Sequence, residues 1–162
     1  MDLRTFRSLL LACAAGATAV TLLASPSIAH AERATIGPHL GVNFDVDDLL
    51  LGGESRIDVA TLGTSVIVQL NPSFSYYFVD NYTLFNISFN VPFEFVIEGS
   101  KLRPFTAPGL GLFAGDGGSD LKLNVLGGLL FRLDAVDPFV QLRIAFIDGS
   151  TVDLMGGVLF RL

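Results

Sequence analysis

The chain has 162 residues, with ten Lys and Arg against sixteen Asp and Glu and a formal net charge of −6 at pH 7. This acidic balance argues against nucleic acid as a partner, because nucleic acid is bound through a basic face. The mean hydropathy of +0.57 is high for a water-soluble domain, yet no apolar run after residue 31 is long enough for a membrane-spanning helix. A structure that crosses a membrane would therefore have to be built from strands.

The first 31 residues have the pattern of a cleavable export signal. A basic start at Arg4 and Arg7 is followed by an apolar run from Leu9 to Ala24, a breaker at 25–27 and the A-x-A site at 29–31. A retained membrane helix needs about 20 apolar residues, and this run is shorter. We therefore predict cleavage after Ala31 and one mature domain, residues 32–162.

The single cysteine, Cys13, lies inside this signal. A lipoprotein signal that ends at Cys13 would leave most of the apolar run in the mature chain, so we reject that alternative. Without Cys13 the mature protein has no cysteine, which excludes disulfides, thiol catalysis and thiolate metal sites.

The mature sequence alternates apolar and polar residues with a period of two, which is typical of strands. The predicted strands are, in chain order, 35–46, 54–62, 65–78, 83–97, 103–113, 121–133, 140–146 and 151–162. Turn signals separate them at 47–53, 62–64, 80–81, 98–102, 114–120, 134–137 and 148–150. Glycines and prolines blur the faces of 103–113, and a turn at Asn71-Pro72 instead of near Gly63 stays open. Eight strands of this kind predict an all-β, antiparallel, up-and-down barrel.

Formal charge is confined to one face of the clear strands. The charged side chains of the polar rows are Asp45, Glu94, Lys122, Arg132, Arg143, Asp153 and Arg161, and Arg56 and Asp58 oppose apolar neighbours in the same way. The opposite rows hold Phe85, Phe89, Phe93, Phe95, Phe131, Phe146 and Phe160. A basic side chain that faces the centre of a bilayer costs about 2–4 kcal/mol, so we expect the uncharged rows to face lipid.

A soluble lipocalin-like carrier of an apolar ligand would alternate in the same way, with its apolar rows turned inward. Two features favour the membrane alternative. The chain has no tryptophan, whereas a lipocalin normally carries Gly-x-Trp near its start, and its fourteen phenylalanines would be hard to fit inside a soluble eight-stranded barrel.

The chain ends inside a strand, with Val158, Phe160 and Leu162 at every second position. This ending resembles the C-terminal strand signal of bacterial outer-membrane barrels, although the last residue is Leu162 and not an aromatic. In strand number, size and short turns the chain resembles the small eight-stranded barrels of the OmpA, OmpX and OmpW type. The resemblance implies a monomer in outer-membrane lipid, inserted by the barrel-assembly machinery.

An eight-stranded barrel is only wide enough for its own side chains to fill it, so we expect a polar lumen that is plugged. With both ends of the chain in the periplasm, Asp45, Lys122 and Asp153 would form an outer ionic cluster and Glu94, Arg132 and Arg161 a periplasmic one. Arg56, Asp58 and Arg143 would lie between them. Mutual neutralisation of buried charge is the expected role, and a narrow channel for small solutes or ions is the alternative.

The sequence offers little support for catalysis, and we expect neither an enzyme nor a cofactor. His39 is the one histidine after the signal, and Ser65, Ser73, Ser75 and Ser88 are possible nucleophiles by location alone. None of them lies in a recognisable nucleophile motif. The turn at 115–120 has the glycines and aspartates of a calcium loop, but we interpret it as a solvated hairpin and expect no metal site.

Overall fold

A computed structural model describes residues 33–45, 47–79, 83–146 and 149–162. The predicted signal peptide, 1–31, lies outside these residues. The strands are β1 (Ala34–Asn43), β2 (Asp48–Leu62), β3 (Val66–Tyr77), β4 (Leu84–Asn90), β5 (Phe93–Phe95), β6 (Leu102–Gly115), β7 (Gly118–Phe131), β8 (Val136–Phe146) and β9 (Thr151–Arg161). No helix in the described part of the chain is long and apolar enough to cross a membrane.

The strands form one closed antiparallel sheet in which each spanning strand pairs with its neighbours in sequence. The ring closes because β1 pairs with both β2 and β9. β4 and β5 together make one spanning strand, since both lie between β3 and β6. Pro92 separates them because proline has no N–H for the ladder. The predicted eight-stranded up-and-down barrel is therefore confirmed.

The barrel has two ends, which we name by the chain segments found there. The terminal end carries the start of β1, the end of β9 and the turns at 63–65, 96–101 and 132–135. The distal end carries the turn at 116–117 and the β1–β2, β3–β4 and β8–β9 connections. The predicted turn at 80–81 lies outside the described residues, and the predicted turn at 148–150 lies partly outside them.

Three predicted turns are shorter than the sequence suggested. The predicted turn 47–53 is wrong, because β2 begins at Asp48 and Gly52 and Gly53 pair with β1. Glycine weakens a strand in isolation, but here the neighbouring strand supplies the ladder bonds. In the same way β6 and β7 extend to a tight turn at 116–117, and β8 begins at Val136 within the predicted turn 134–137.

The outward side chains are apolar along the full height of the barrel. Leu40 is 67% exposed, Phe89 68% and Leu121 57%. The seven phenylalanines predicted to face lipid all lie on this outer surface, with Phe85 and Phe93 half-buried and the other five exposed. The soluble-carrier alternative is wrong, because it requires these rows to line a central cavity.

The interior contains apolar side chains as well as polar ones. One apolar cluster lies toward the distal end and consists of Leu50, Tyr77, Phe113, Ala145 and Met155. A second lies toward the terminal end and consists of Phe105, Leu130, Phe139 and Leu159. Three of the thirteen phenylalanines in the described residues thus point inward, on strands whose faces the sequence did not resolve or whose first residues were assigned to a turn. The expectation of phenylalanines concentrated on the lipid rows is corrected to that extent.

Candidate functional site

The interior toward the distal end is organised around Arg143 of β8, which is 1% exposed. Its guanidinium donates to Asp153 at 2.7 Å, to the amide oxygen of Asn86 at 2.8 Å and to the hydroxyl of Tyr77 at 2.6 Å. Asn43 donates to the other oxygen of Asp153 at 2.6 Å. This group, the Arg143 network, joins strands from all sides of the barrel.

A second group lies at mid-height and is centred on the buried carboxylate of Glu54. Arg56 donates to this carboxylate at 2.9 Å, and the amide of Gln141 donates to it at 2.8 Å. The guanidinium of Arg56 also donates to Gln141 at 3.1 Å and stacks over the ring of Phe105, 4.1 Å from its centroid. Both charges of this Glu54 network are therefore paired and hydrogen-bonded, as burial of a charge requires.

The third group lies at the terminal end and contains two carboxylates, Glu94 and Asp137, that are completely buried. Arg132 binds Glu94 through two nitrogens and donates to Asp137 at 2.9 Å. Burial lowers the pKa of Arg132, but its hydrogen bonds to the two carboxylates more than compensate, so the pKa lies above its ordinary value. Asp137 also accepts from Arg33 and, at 3.3 Å, from Arg161. These contacts close the barrel interior where the chain enters and leaves it.

The structure divides the predicted ionic residues differently from the sequence. The predicted outer cluster of Asp45, Lys122 and Asp153 is wrong, because Asp153 pairs with Arg143, whereas Lys122 donates to Thr151 at 3.2 Å. Asp45 is exposed and accepts from the backbone N–H of Val152 at 2.8 Å. An exposed turn offers Asp45 full solvation, so nothing draws it inward.

The predicted periplasmic cluster is brought together in part. Glu94 and Arg132 pair, but Arg161 is bound to Asp137 and to backbone oxygens beyond β7. Asp58 accepts from Gln69 at 2.6 Å near the same end and does not reach the middle of the barrel.

Sequence reasoning missed two of the central carboxylates, Glu54 and Asp137. Each had a usable signal: Glu54 shares the parity of Arg56 and Asp58 on β2, and Asp137 shares that of Arg143 on β8. Both lay at or beyond a predicted strand end, where alternation is hardest to extend. Gln141 shares the inward parity of Arg143, but its pairing with Glu54, like that of Arg33 with Asp137, could not be foreseen because register across the barrel cannot be derived from one strand.

His39 contacts one of the four candidate serines. Its Nε2 lies 3.0 Å from Oγ of Ser75, and its Nδ1 lies 3.8 Å from Oε2 of Glu54. The order of these groups resembles a hydrolase triad, but the three residues are at most 2% exposed, and 3.8 Å is too long for a hydrogen bond. A nucleophile also needs room for its substrate, and Ser75 is enclosed.

The remaining candidates stand in ordinary structural roles. Ser65 lies in an exposed turn, Ser73 lies half-buried on β3, and Ser88 donates to Asn86 at 2.5 Å. In the turn at 115–120, which we interpret as a solvated hairpin, Asp116 accepts from the backbone N–H of Thr83 at 2.8 Å. Among the described residues, no three His, Cys, Asp or Glu side chains are grouped as a metal site.

Comparison with solved structures identifies the architecture. The N-terminal β-barrel domain of Pseudomonas aeruginosa OprF is similar over 80% of this chain and 97% of that domain, with 19% identity and a TM-score of 0.62. The fold is that of the small outer-membrane barrels. Neisserial surface protein A covers 80% of this chain and 95% of its own, with 14% identity and a TM-score of 0.60.

The outer membrane enzyme PagL is similar over 78% of this chain and 98% of its own length, with 13% identity and a TM-score of 0.62. No family model and no curated relative matches the sequence. The comparisons and the apolar outer surface together show a chain with the fold of the small outer-membrane barrels.

Proposed function

We propose that the chain is an outer-membrane barrel with a structural or envelope-interaction role, whose interior is plugged by its own side chains. The terminal end would face the periplasm and the distal end the exterior. The resemblance of the fold and the apolar belt support this location. The apolar belt supports an outer-membrane role because an outer surface of this kind is suited to contact with the hydrocarbon core of a bilayer.

The observation that carries the plug is the bridging of opposite strands by buried polar side chains. Arg143 of β8 reaches Tyr77 of β3, four places away in the ring of eight spanning strands, and Gln141 of β8 reaches Glu54 of β2. A solute would have to separate these hydrogen-bonded pairs, and each buried group left without its partner costs about 1–3 kcal/mol. The apolar clusters above and below add side chains that cannot replace the hydration shell of an ion. The interior is thus better suited to rigidity than to conduction.

Planar-bilayer recording of the purified mature barrel tests this proposal. We expect no steady unit conductance from the native protein. The variant Arg56→Ala, which removes the guanidinium between Glu54 and Phe105, should show conducting events, and Lys101→Ala at the exposed terminal rim should stay silent. Heat-modifiable gel mobility verifies that each variant is folded. Steady unit conductance of the native barrel would instead establish the channel alternative.

We also propose that the barrel is not an enzyme. The buried Ser75 and the long contact between His39 and Glu54 support this view. PagL is described as an outer membrane enzyme, and the contact between His39 and Ser75 is the one that a hydrolase would use, so we would test hydrolysis of purified outer-membrane lipid directly. Release of fatty acid that disappears in both His39→Ala and Ser75→Ala would refute the proposal.

The proposed partners are outer-membrane lipid and, during insertion, the barrel-assembly machinery, with the mature barrel a monomer. Phe160 and Leu162 are exposed on the outer side of the barrel, at 50% and 84%. There the barrel-assembly machinery would recognise the C-terminal strand signal of Val158, Phe160 and Leu162. We expect Phe160→Ala to slow insertion in cells while the purified protein still folds into detergent. Equal insertion of both proteins would remove the assembly signal from the proposal. Mass spectrometry of the exported protein would test the start at Glu32.

A further inference from the structure

The barrel has a cavity at its distal end that takes no part in the proposed plugging of the interior. It has a larger part of about 500 Å³ and a smaller part of about 150 Å³, and both are lined by Leu84, Phe113 and Asp120. Beneath it lies the apolar cluster that contains Phe113, with Leu84 packed against that cluster. The cavity therefore has an apolar floor and opens at the barrel end.

The cavity already holds one aliphatic ammonium group, that of Lys122. Its Nζ lies 5.1 Å from the ring centroid of Phe113, within the range of a cation–π interaction. The ammonium donates to the hydroxyl of Thr151, and among the described residues it forms no ion pair. The position of Lys122 thus indicates that an alkyl chain ending in an ammonium group fits against this floor.

The walls above the floor are acidic. Asp45 and Asp116 line the smaller and larger parts, and each already accepts a backbone N–H. Asp120 lines both parts, and within the described part of the chain its carboxylate makes no hydrogen bond or ion pair. A bare divalent cation needs six or more oxygen ligands, whereas an organic ammonium needs an aromatic face and one carboxylate.

We propose that this cavity binds aliphatic polyamines from the outer side of the barrel. One ammonium would pair with Asp120, the methylene chain would lie along Leu84 and Phe113, and a second ammonium would be close to Asp45 or Asp116. Lys122 occupies the aromatic floor in the absence of ligand and competes with it. A flexible chain with separated charges can reach carboxylates in both parts of the cavity, whereas a compact ion occupies one of them.

Titration of the refolded mature barrel in detergent micelles with spermidine at constant ionic strength, followed by backbone amide chemical shifts, tests the proposal. Asp120→Asn should weaken binding about two- to fivefold, the effect of one exposed ion pair. Lys122→Met should tighten binding because the competing ammonium is gone. Asp134→Asn and Lys101→Met make the same charge changes at the terminal end and should leave the Kd unchanged.

The pattern across the four variants decides the outcome. Shifts centred on Phe113 and Asp120, with both distal variants altered and both terminal variants unaltered, support the site. If Asp134→Asn changes the Kd as much as Asp120→Asn, and Lys101→Met as much as Lys122→Met, the binding is non-specific attraction to an acidic protein and the proposal fails. It fails also if magnesium chloride at the same ionic strength produces the same shifts, or if spermidine produces none.

Discussion

Arg143 donates a hydrogen bond of 2.6 Å to the hydroxyl of Tyr77 across the full width of the barrel. The two residues lie on β8 and β3, which stand opposite each other in the ring. The same hydroxyl donates to Asp153 at 3.3 Å, so the phenol connects both members of a buried ion pair to the far wall. One hydroxyl group therefore couples β3 to β8, two strands that share no ladder hydrogen bond.

Removal of this hydroxyl should destabilise the barrel without changing its fold. Tyr77→Phe leaves a guanidinium nitrogen of Arg143 without its partner, at a cost of about 1–3 kcal/mol. The free energy of unfolding in urea, measured in lipid vesicles, should fall by that amount. Tyr76→Phe is the matched control, since Tyr76 is on the outer face of the same strand and should have little effect. Equal losses in the two variants would contradict the bridging role.

The ion pair of Arg143 and Asp153 should show the signature of a buried pair in a mutant cycle. Arg143→Met leaves Asp153 charged and buried, which should cost about 3–5 kcal/mol. The double variant Arg143→Met with Asp153→Leu removes both charges, so it should be more stable than Arg143→Met alone. The free energy of unfolding is measured for four proteins: the native barrel, Arg143→Met, Asp153→Leu and the double variant. Additive losses would mean that the two charges do not depend on each other.

The sequence was sufficient for the architecture because alternation is a local property. Residues two positions apart in a strand lie on the same face. The uncharged row from Phe85 to Phe95 could therefore be assigned to lipid directly from the sequence. The number of strands in the barrel followed from the number of turns. The boundaries were weaker where Gly52 and Gly53 imitate a turn while lying in β2.

The interior contacts could be predicted only in part because they depend on register between distant strands. That Arg143 and Asp153 face inward follows from parity, but that they pair follows from the β8–β9 ladder. Lys122 was a plausible partner for Asp153 by height alone. Contacts that cross the barrel, such as Gln141 with Glu54, need the closed ring and are beyond any single-strand pattern.

The apolar belt predicts a depth-dependent cost for a basic residue on the outer surface. Phe89 lies near the middle of its spanning strand and is 68% exposed, and Leu121 lies close to the distal turn and is 57% exposed. Phe89→Arg should lower the free energy of unfolding in lipid by about 2–4 kcal/mol, and Leu121→Arg by about 1 kcal/mol or less. Equal costs at the two positions would argue against a bilayer around this belt. The same comparison in detergent controls for loss of packing.

The adjacent glycines of β2 give the sharpest test of interior packing. A Cβ on Gly52 would lie 2.0 Å from the backbone oxygen of Phe74 and 2.5 Å from Nε2 of His39, whereas the closest atom to a Cβ on Gly53 would be 3.5 Å away. Gly52 faces the crowded interior, and Gly53 faces outward. Backbone of β3 cannot move aside without breaking its ladder, so Gly52→Ala should cost at least about 1–3 kcal/mol.

Gly53→Ala should stay within about 0.5 kcal/mol of the native protein, since it adds a methyl group where there is space. The two variants have the same composition and differ in one strand position, so urea unfolding in vesicles compares them directly. A larger loss for Gly53→Ala than for Gly52→Ala would mean that β2 has the opposite parity. In that case Glu54 and Arg56 would point into lipid, and the interior network would lose its centre.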